Sequence, residues 1–180
     1  MQSYQYENRD GVVRISWDRF AGLAKSLAEK LAGYEVDCVV GIARAGLFPA
    51  TAVACALRRE LFPVRLTRRV DDRVVHERPM WKVYVPHDVQ GKKVVVVDEI
   101  ADTGETLALA AERVRWRGAR EVVTATLVSH SWAKPAPDAV ALVSDALIVF
   151  PWDEQVYMDG IWRLHPELEE ALKLQGSGGI

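Results

Sequence analysis

Two cysteines in 180 residues are too few for a disulfide framework. Cys38 and Cys55 lie in apolar contexts without metal-ligand spacing, so both are expected as buried free thiols. The histidines also lack ligand spacing, and His76, His87 and His165 are expected to face solvent. No apolar run approaches the roughly 18 residues of a membrane span, and the polar start MQSYQYENRDG has no apolar signal core. The expectation is a cytoplasmic protein without a membrane partner. Positive charge is not in excess either. With 23 Lys and Arg against 25 Asp and Glu the formal net charge is −2, which leaves no basic field for nucleic acid. Two familiar loop signatures are missing as well. Gly41 to Gly46 has the outer spacing of a P-loop, but Leu47 and Phe48 stand where Lys and Ser or Thr are required, and Ala43 interrupts a G-x-G-x-x-G turn.

What is present is concentrated in Val94 to Leu107, VVVVDEIADTGETL. Four consecutive valines without alternation suit a strand buried on both faces of a parallel sheet. Asp98 and Glu99 then fall at its carboxyl end, the edge where open α/β sheets bind ligands, and two adjacent carboxylates can accept hydrogen bonds from a pair of sugar hydroxyls. Asp102, Thr103, Gly104, Glu105 and Thr106 open the next helix. Its unpaired N–H groups, its positive dipole end and two threonine hydroxyls make a loop suited to phosphate. A capped helix after a core strand would explain Asp102 or Thr103 alone, but not the whole set.

Around this centre the chain alternates strand and helix. Ser16 caps a helix whose Trp17, Phe20, Leu23, Ala24, Leu27 and Leu31 recur at helical spacing as a core face. Val36 to Ile42 reads as a buried strand, followed by the Gly41 to Gly46 turn and a helix from about Pro49. Val64 to Thr67 is a further strand. Residues 68 to 90 have no clean periodicity and read as an excursion carrying Arg68, Arg69, Arg73, Arg78 and Lys82 among Asp71, Asp72 and Glu77. A helix through about Arg117, strands at Val122 to Val128 and Leu147 to Phe150, and a helix over Pro166 to Leu174 complete the reading, with QGSGGI frayed. At 49% hydrophobic and 27% charged content, the expected architecture is one α/β domain over 1–180 with a doubly wound parallel sheet core.

The central segment resembles the signature of the type I phosphoribosyltransferases: an apolar strand, two acids, two variable residues and a T-G-x-T loop. The resemblance covers residues 12 to about 155. It implies a small hood from about 1–15 and 130–175, Mg²⁺ as cofactor, and 5-phosphoribosyl 1-diphosphate (PRPP) and a nitrogenous base as substrates. It also implies a homo-oligomer, commonly a dimer. Asp98 and Glu99 would hold the ribose, touching metal only through ribose or water. Residues Asp102 to Thr106 would cradle the 5-phosphate, and Asp102 would take a proton from the base. Arg44, Ala45 and Gly46 would meet diphosphate, with a cis Ala43-Arg44 peptide. The 68 to 90 segment would be the mobile catalytic loop, offering Arg68 and Lys82.

Thr126 to Asp138 and Ser144 to Asp153 resemble the 6-oxopurine branch, near the xanthine-guanine and hypoxanthine-guanine enzymes. Where that branch places a lysine on the 6-oxo group and a stacking aromatic, this chain has His130 and Leu147. Ile148 would offer backbone groups to the base edge, and Asp153 matches an acid near the diphosphate or the base. The implied function is Mg²⁺-dependent transfer of a phosphoribosyl group from PRPP to a 6-oxopurine. A transferase for another base or amine, or a PRPP sensor without turnover, fits the same PRPP-side residues.

Overall fold

The computed structural model describes residues 9–70, 73–76 and 78–175. The first eight residues of the expected hood, Asp71, Asp72 and Glu77 of the excursion, the side chains of Arg69 and Arg73, and the tail 176–180 lie outside that description. In chain order the elements are β1 (Val12–Arg14), α1 (Trp17–Ala32), β2 (Cys38–Ile42), α2 (Leu47–Leu57), β3 (Glu60–Thr67), β4 (Arg69–Val70), β5 (Arg73–Val74) and β6 (Met80–Val83). They continue with β7 (Lys93–Ala101), α3 (Glu105–Trp116), β8 (Glu121–Ser129), β9 (Ala139–Val143), β10 (Leu147–Val149), β11 (Gln155–Met158), β12 (Ile161–Leu164) and α4 (Pro166–Leu174). The chain forms two compact units, Gly22–Ser144 and Met1–Ala21 with Asp145–Ile180.

The larger unit is built on a six-stranded sheet ordered β6-β3-β2-β7-β8-β9. Only the edge strand β6 runs antiparallel, to β3. The valine run explains how this sheet is covered. Val95 and Val97 pack with Leu27, Ala28 and Leu31 of α1 and Ala50, Val53 and Ala54 of α2, whereas Val94 and Val96 pack with Leu107, Ala110, Ala111 and Val114 of α3. Each valine is fully buried, so both faces of β7 are core, and each side chain contributes roughly 1.5–3 kcal/mol of burial. The five parallel strands follow the order in which direction of winding reverses between β2 and β7. That reversal opens a crevice beyond the carboxyl ends of these two strands, where the segments 43–46 and 98–104 lie.

Several elements differ from the sequence expectation, each for a local reason. β2 begins at Cys38, and α2 starts at Leu47, ahead of Pro49. β3 extends back to Glu60 through Pro63, which is tolerated because β6 pairs only with Arg65 to Thr67 and leaves Pro63 with no ladder to donate to on that side. The excursion contains a short antiparallel pair, β4 with β5, and then β6. Cys38 is buried as expected, and desolvation pushes its thiol up to about 11. Cys55 is exposed instead, since Ala50, Val53 and Ala54 take the inward positions of α2.

In the smaller unit, β1 pairs in parallel with β10, and Leu147 and Val149 pack with Leu168 and Ala171 of α4. His165 caps α4 by accepting the Glu167 N–H on its Nδ1 and is half-buried, in place of the solvent-facing position expected. Ser16 caps α1 as expected, through the Arg19 N–H. Trp17, expected in the core, is 54% exposed and instead packs its ring against Phe20 and Trp152. The antiparallel hairpin of β11 and β12 turns at Asp159 and Gly160, both in the left-handed region with φ of 52° and 81°.

Candidate active site

Asp98 and Glu99 lie in the carboxyl-terminal half of β7, where parallel pairing to β2 has ended at Val97 and pairing to β8 continues. Asp98 is buried, and its Oδ1 accepts the Glu99 N–H at 3.0 Å. Desolvation, followed by the charge of Glu99, holds its carboxyl well above the usual carboxylate range. A buried carboxyl in this state is an environment that a group rich in hydrogen-bond donors would relieve.

The loop after them turns into α3 at Gly104, whose φ of 84° suits glycine. A side chain there would also collide with the backbone, since a Cβ would stand 2.7 Å from the Pro135 carbonyl oxygen. Thr103 Oγ1, one residue ahead of the Gly104 N-cap, accepts the Glu105 N–H at 3.4 Å. Thr103 and Glu105 are exposed, and Asp102 and Thr106 are half-buried. The positive end of the α3 dipole therefore faces a hydroxyl-rich, open rim, an arrangement that suits a phosphate.

Across the crevice, the β2 loop approaches closely. The Ala43-Arg44 peptide is cis, as the resemblance implied. Arg44 is exposed and Ala45 half-buried. Gly46 is buried against the acid pair: a Cβ there would stand 2.5 Å from Asp98 Oδ1 and 2.5 Å from the Ile42 carbonyl oxygen. Only glycine lets the two loops touch. Arg68 follows the carboxyl end of β3, and its carbonyl accepts the N–H groups of Val75 and His76. Lys82 is exposed on β6 at the level of Arg65 and Leu66, inside the sheet edge, so it does not share the position of Arg68 beyond it.

The segment after β8 closes against the α3 loop from the other side. The His130 N–H donates to the Ala101 carbonyl and the Lys134 N–H to the Thr103 carbonyl. The His130 ring is 4% exposed, with Nδ1 2.6 Å from the Ser144 carbonyl oxygen and Nε2 3.9 Å from Asp102 Oδ1. Trp132 stacks on it and directs its indole N–H to the same Asp102 oxygen. The Trp132 contact with Asp102 and the part of Ser144 were not read from the sequence. The only trace there is the run of three polar and aromatic residues, His130 to Trp132, directly after a buried strand.

In the smaller unit, Leu147 spends its side chain on the apolar cluster with Leu168, Ile148 is half-buried beside it on β10, and Asp153 is exposed in the turn that follows Phe150. Among the described residues no three of His, Cys, Asp and Glu converge to cage a cation. Mg²⁺ would therefore be held by substrate oxygens and water, with Asp98 and Glu99 reaching it only through those groups, as the resemblance implies.

A doubly wound α/β protein with a paired acid, a hydroxyl-rich helix start and a glycine-tight second loop at its winding reversal has its candidate site where this class of fold places ligand sites. The comparisons name the family. The pattern of the phosphoribosyl transferase domain matches residues 14–159, and the chain belongs to that family. A purine phosphoribosyltransferase from Pyrococcus horikoshii Ot3 is 31% identical with a TM-score of 0.72, over 82% of this chain and 98% of that one. An orotate phosphoribosyltransferase of Sulfolobus acidocaldarius is 30% identical over 103 residues, 57% of this chain and 48% of the relative. Another, of Sulfurisphaera tokodaii, is 25% identical over 116 residues, 63% of this chain and 54% of the relative. The chain spans about half the length of the curated relatives it matches.

Proposed function

We propose that this protein transfers a phosphoribosyl group from PRPP to a nitrogenous base with release of diphosphate, and that the base is a 6-oxopurine. The observation that carries the reading is the contact of Gly46 with Asp98 beside the Asp102 to Thr106 loop, which gathers acids, hydroxyls and a helix start at one crevice. In this reading Asp98 and Glu99 accept the ribose hydroxyls, Thr103 to Thr106 receive the 5-phosphate, and Arg44, Ala45 and Gly46 receive the diphosphate, with Arg68 and Lys82 as further cations. The bond from C1 to diphosphate breaks as a base nitrogen bonds to C1, and the proton of that nitrogen passes to Asp102. Mg²⁺, when bound on PRPP, neutralises charge on the leaving diphosphate. The protein would act in the cytoplasm as a homodimer. No helix among the described residues is long and apolar enough to cross a membrane.

The purine choice follows the similarity to the Pyrococcus horikoshii protein. A second reading, transfer to another base such as orotate, is favoured by one observation: His130 directs its ring nitrogens to Ser144 and Asp102, and Leu147 is buried in packing, so neither serves as the lysine or the stacking aromatic of the oxopurine branch. Ile148 and Asp153 would then meet a different ring. The deciding experiment is diphosphate release from PRPP and Mg²⁺ across hypoxanthine, guanine, xanthine, adenine, uracil and orotate. Turnover confined to oxopurines supports the first reading, and turnover with orotate alone supports the second. Tight PRPP binding with no turnover on the whole panel would point to an acceptor outside the panel or to a PRPP sensor. Asp102→Asn is expected to lower turnover by roughly 10² to 10⁴ while PRPP binding stays within a few fold.

A further inference from the structure

We propose that Trp132 is the positioning residue for Asp102, and that His130 holds Trp132 in place; this rests on the reading of Asp102 as the group that takes the base proton. The geometry forms a chain from rigid backbone to reactive oxygen. The Ser144 carbonyl can only accept, so at 2.6 Å it fixes the proton of His130 on Nδ1. Ser144 is itself tied to the end of β8, its N–H donating to the Ser129 carbonyl. The buried imidazole is thereby locked, and the Trp132 indole lies parallel to it, with ring centroids 4.5 Å apart and planes at 14°. From this stacked position the indole N–H reaches Asp102 Oδ1 at 3.4 Å.

The backbone reinforces the alignment. The Ala133 N–H closes a turn onto the His130 carbonyl, and the His130 and Lys134 N–H groups bind the carbonyls of Ala101 and Thr103, on either side of Asp102. The turn that carries the indole and the loop that carries the carboxylate are thus registered to each other by two hydrogen bonds. An aspartate side chain has two bonds to rotate about, each added contact narrows that rotation, and a proton acceptor misplaced by a fraction of an ångström loses rate without losing affinity for the rest of the substrate. The His130 side chain explains the pairing: it presents a flat, buried face, so the indole has a plate to lie on. Because PRPP is held by the α3 loop and the β2 loop, the effect belongs to turnover rather than to PRPP binding.

The test compares Trp132→Phe, which keeps a ring to stack but removes the N–H, with His130→Phe and His130→Ala. In steady-state diphosphate release, Trp132→Phe is expected to lower kcat about tenfold, the scale of one hydrogen bond, with KM for PRPP unchanged. His130→Phe should retain more kcat than His130→Ala, because the plate is kept. Unchanged kcat in Trp132→Phe, or a loss confined to KM for PRPP, overturns the proposal while leaving the transferase reading intact. A second readout does not need activity. Among the indole N–H signals of the six tryptophans in a ¹⁵N-labelled sample, the one lost in Trp132→Phe should move when Asp102→Asn is introduced. If it stays in place the proposal fails, even in a protein that turns over no base.

Discussion

At Asp98, burial and the adjacent Glu99 both oppose ionisation, although the proposed role of this side chain is to accept a ribose hydroxyl. An unfolded aspartate titrates near 3.9, about the value of a free side chain, and the folded one well above it. Below the unfolded value the group is protonated in both states and its contribution to stability is fully present. As pH rises through the folded value that contribution is lost, because the fold must then shelter a charge. Asp98→Asn is therefore expected to raise the melting temperature of the ligand-free protein, more in mildly alkaline than in acidic buffer, while weakening PRPP binding. Thermal scans along a pH series would check it, and a variant less stable than the parent in alkaline buffer would refute it.

Among elements, the β2 loop has the least room for change. Gly46→Ala would push a methyl group against Asp98 Oδ1 and the Ile42 carbonyl, and backbone can yield there only by parting the two loops. The expected result is a loss of PRPP affinity of about tenfold or more, the scale of 1.4 kcal/mol, with far-UV circular dichroism unchanged. Calorimetry with PRPP would show it, and wild-type affinity would mean the loops need not touch. This juxtaposition was only half legible. The acid pair, the Thr-Gly loop and the glycine turn are local patterns, and they could be read directly. That Gly46 abuts Asp98 depends on β2 lying beside β7, a pairing across more than fifty positions of chain that no local pattern carries. β9 was missed because five apolar residues are too short a run to show a period. The β11 and β12 hairpin is legible locally: Asp159-Gly160 between QVYM and IWRL is a two-residue turn signal.

On the scale of the whole molecule, the sequence was informative about the core and less so about what surrounds it. Burial on both faces of β7 follows from its composition, and so does winding on both sides of the sheet. The acceptor side was less readable, since residues matched by position can spend their side chains elsewhere, as His130 does on Ser144 and Leu147 on Leu168. One consequence reaches across the molecule. Because Gly46 and Asp98 share a contact, the loop assigned to diphosphate and the strand end assigned to ribose cannot move independently. Two halves of the substrate should then bind cooperatively: saturating diphosphate is expected to tighten ribose 5-phosphate binding by about fivefold or more, with the reciprocal effect of equal size, as linkage requires. Titration of each fragment in the presence and absence of the other would measure the coupling, and strict additivity would contradict it. A protein built this way discriminates the intact donor from its spent products by demanding both ends at once.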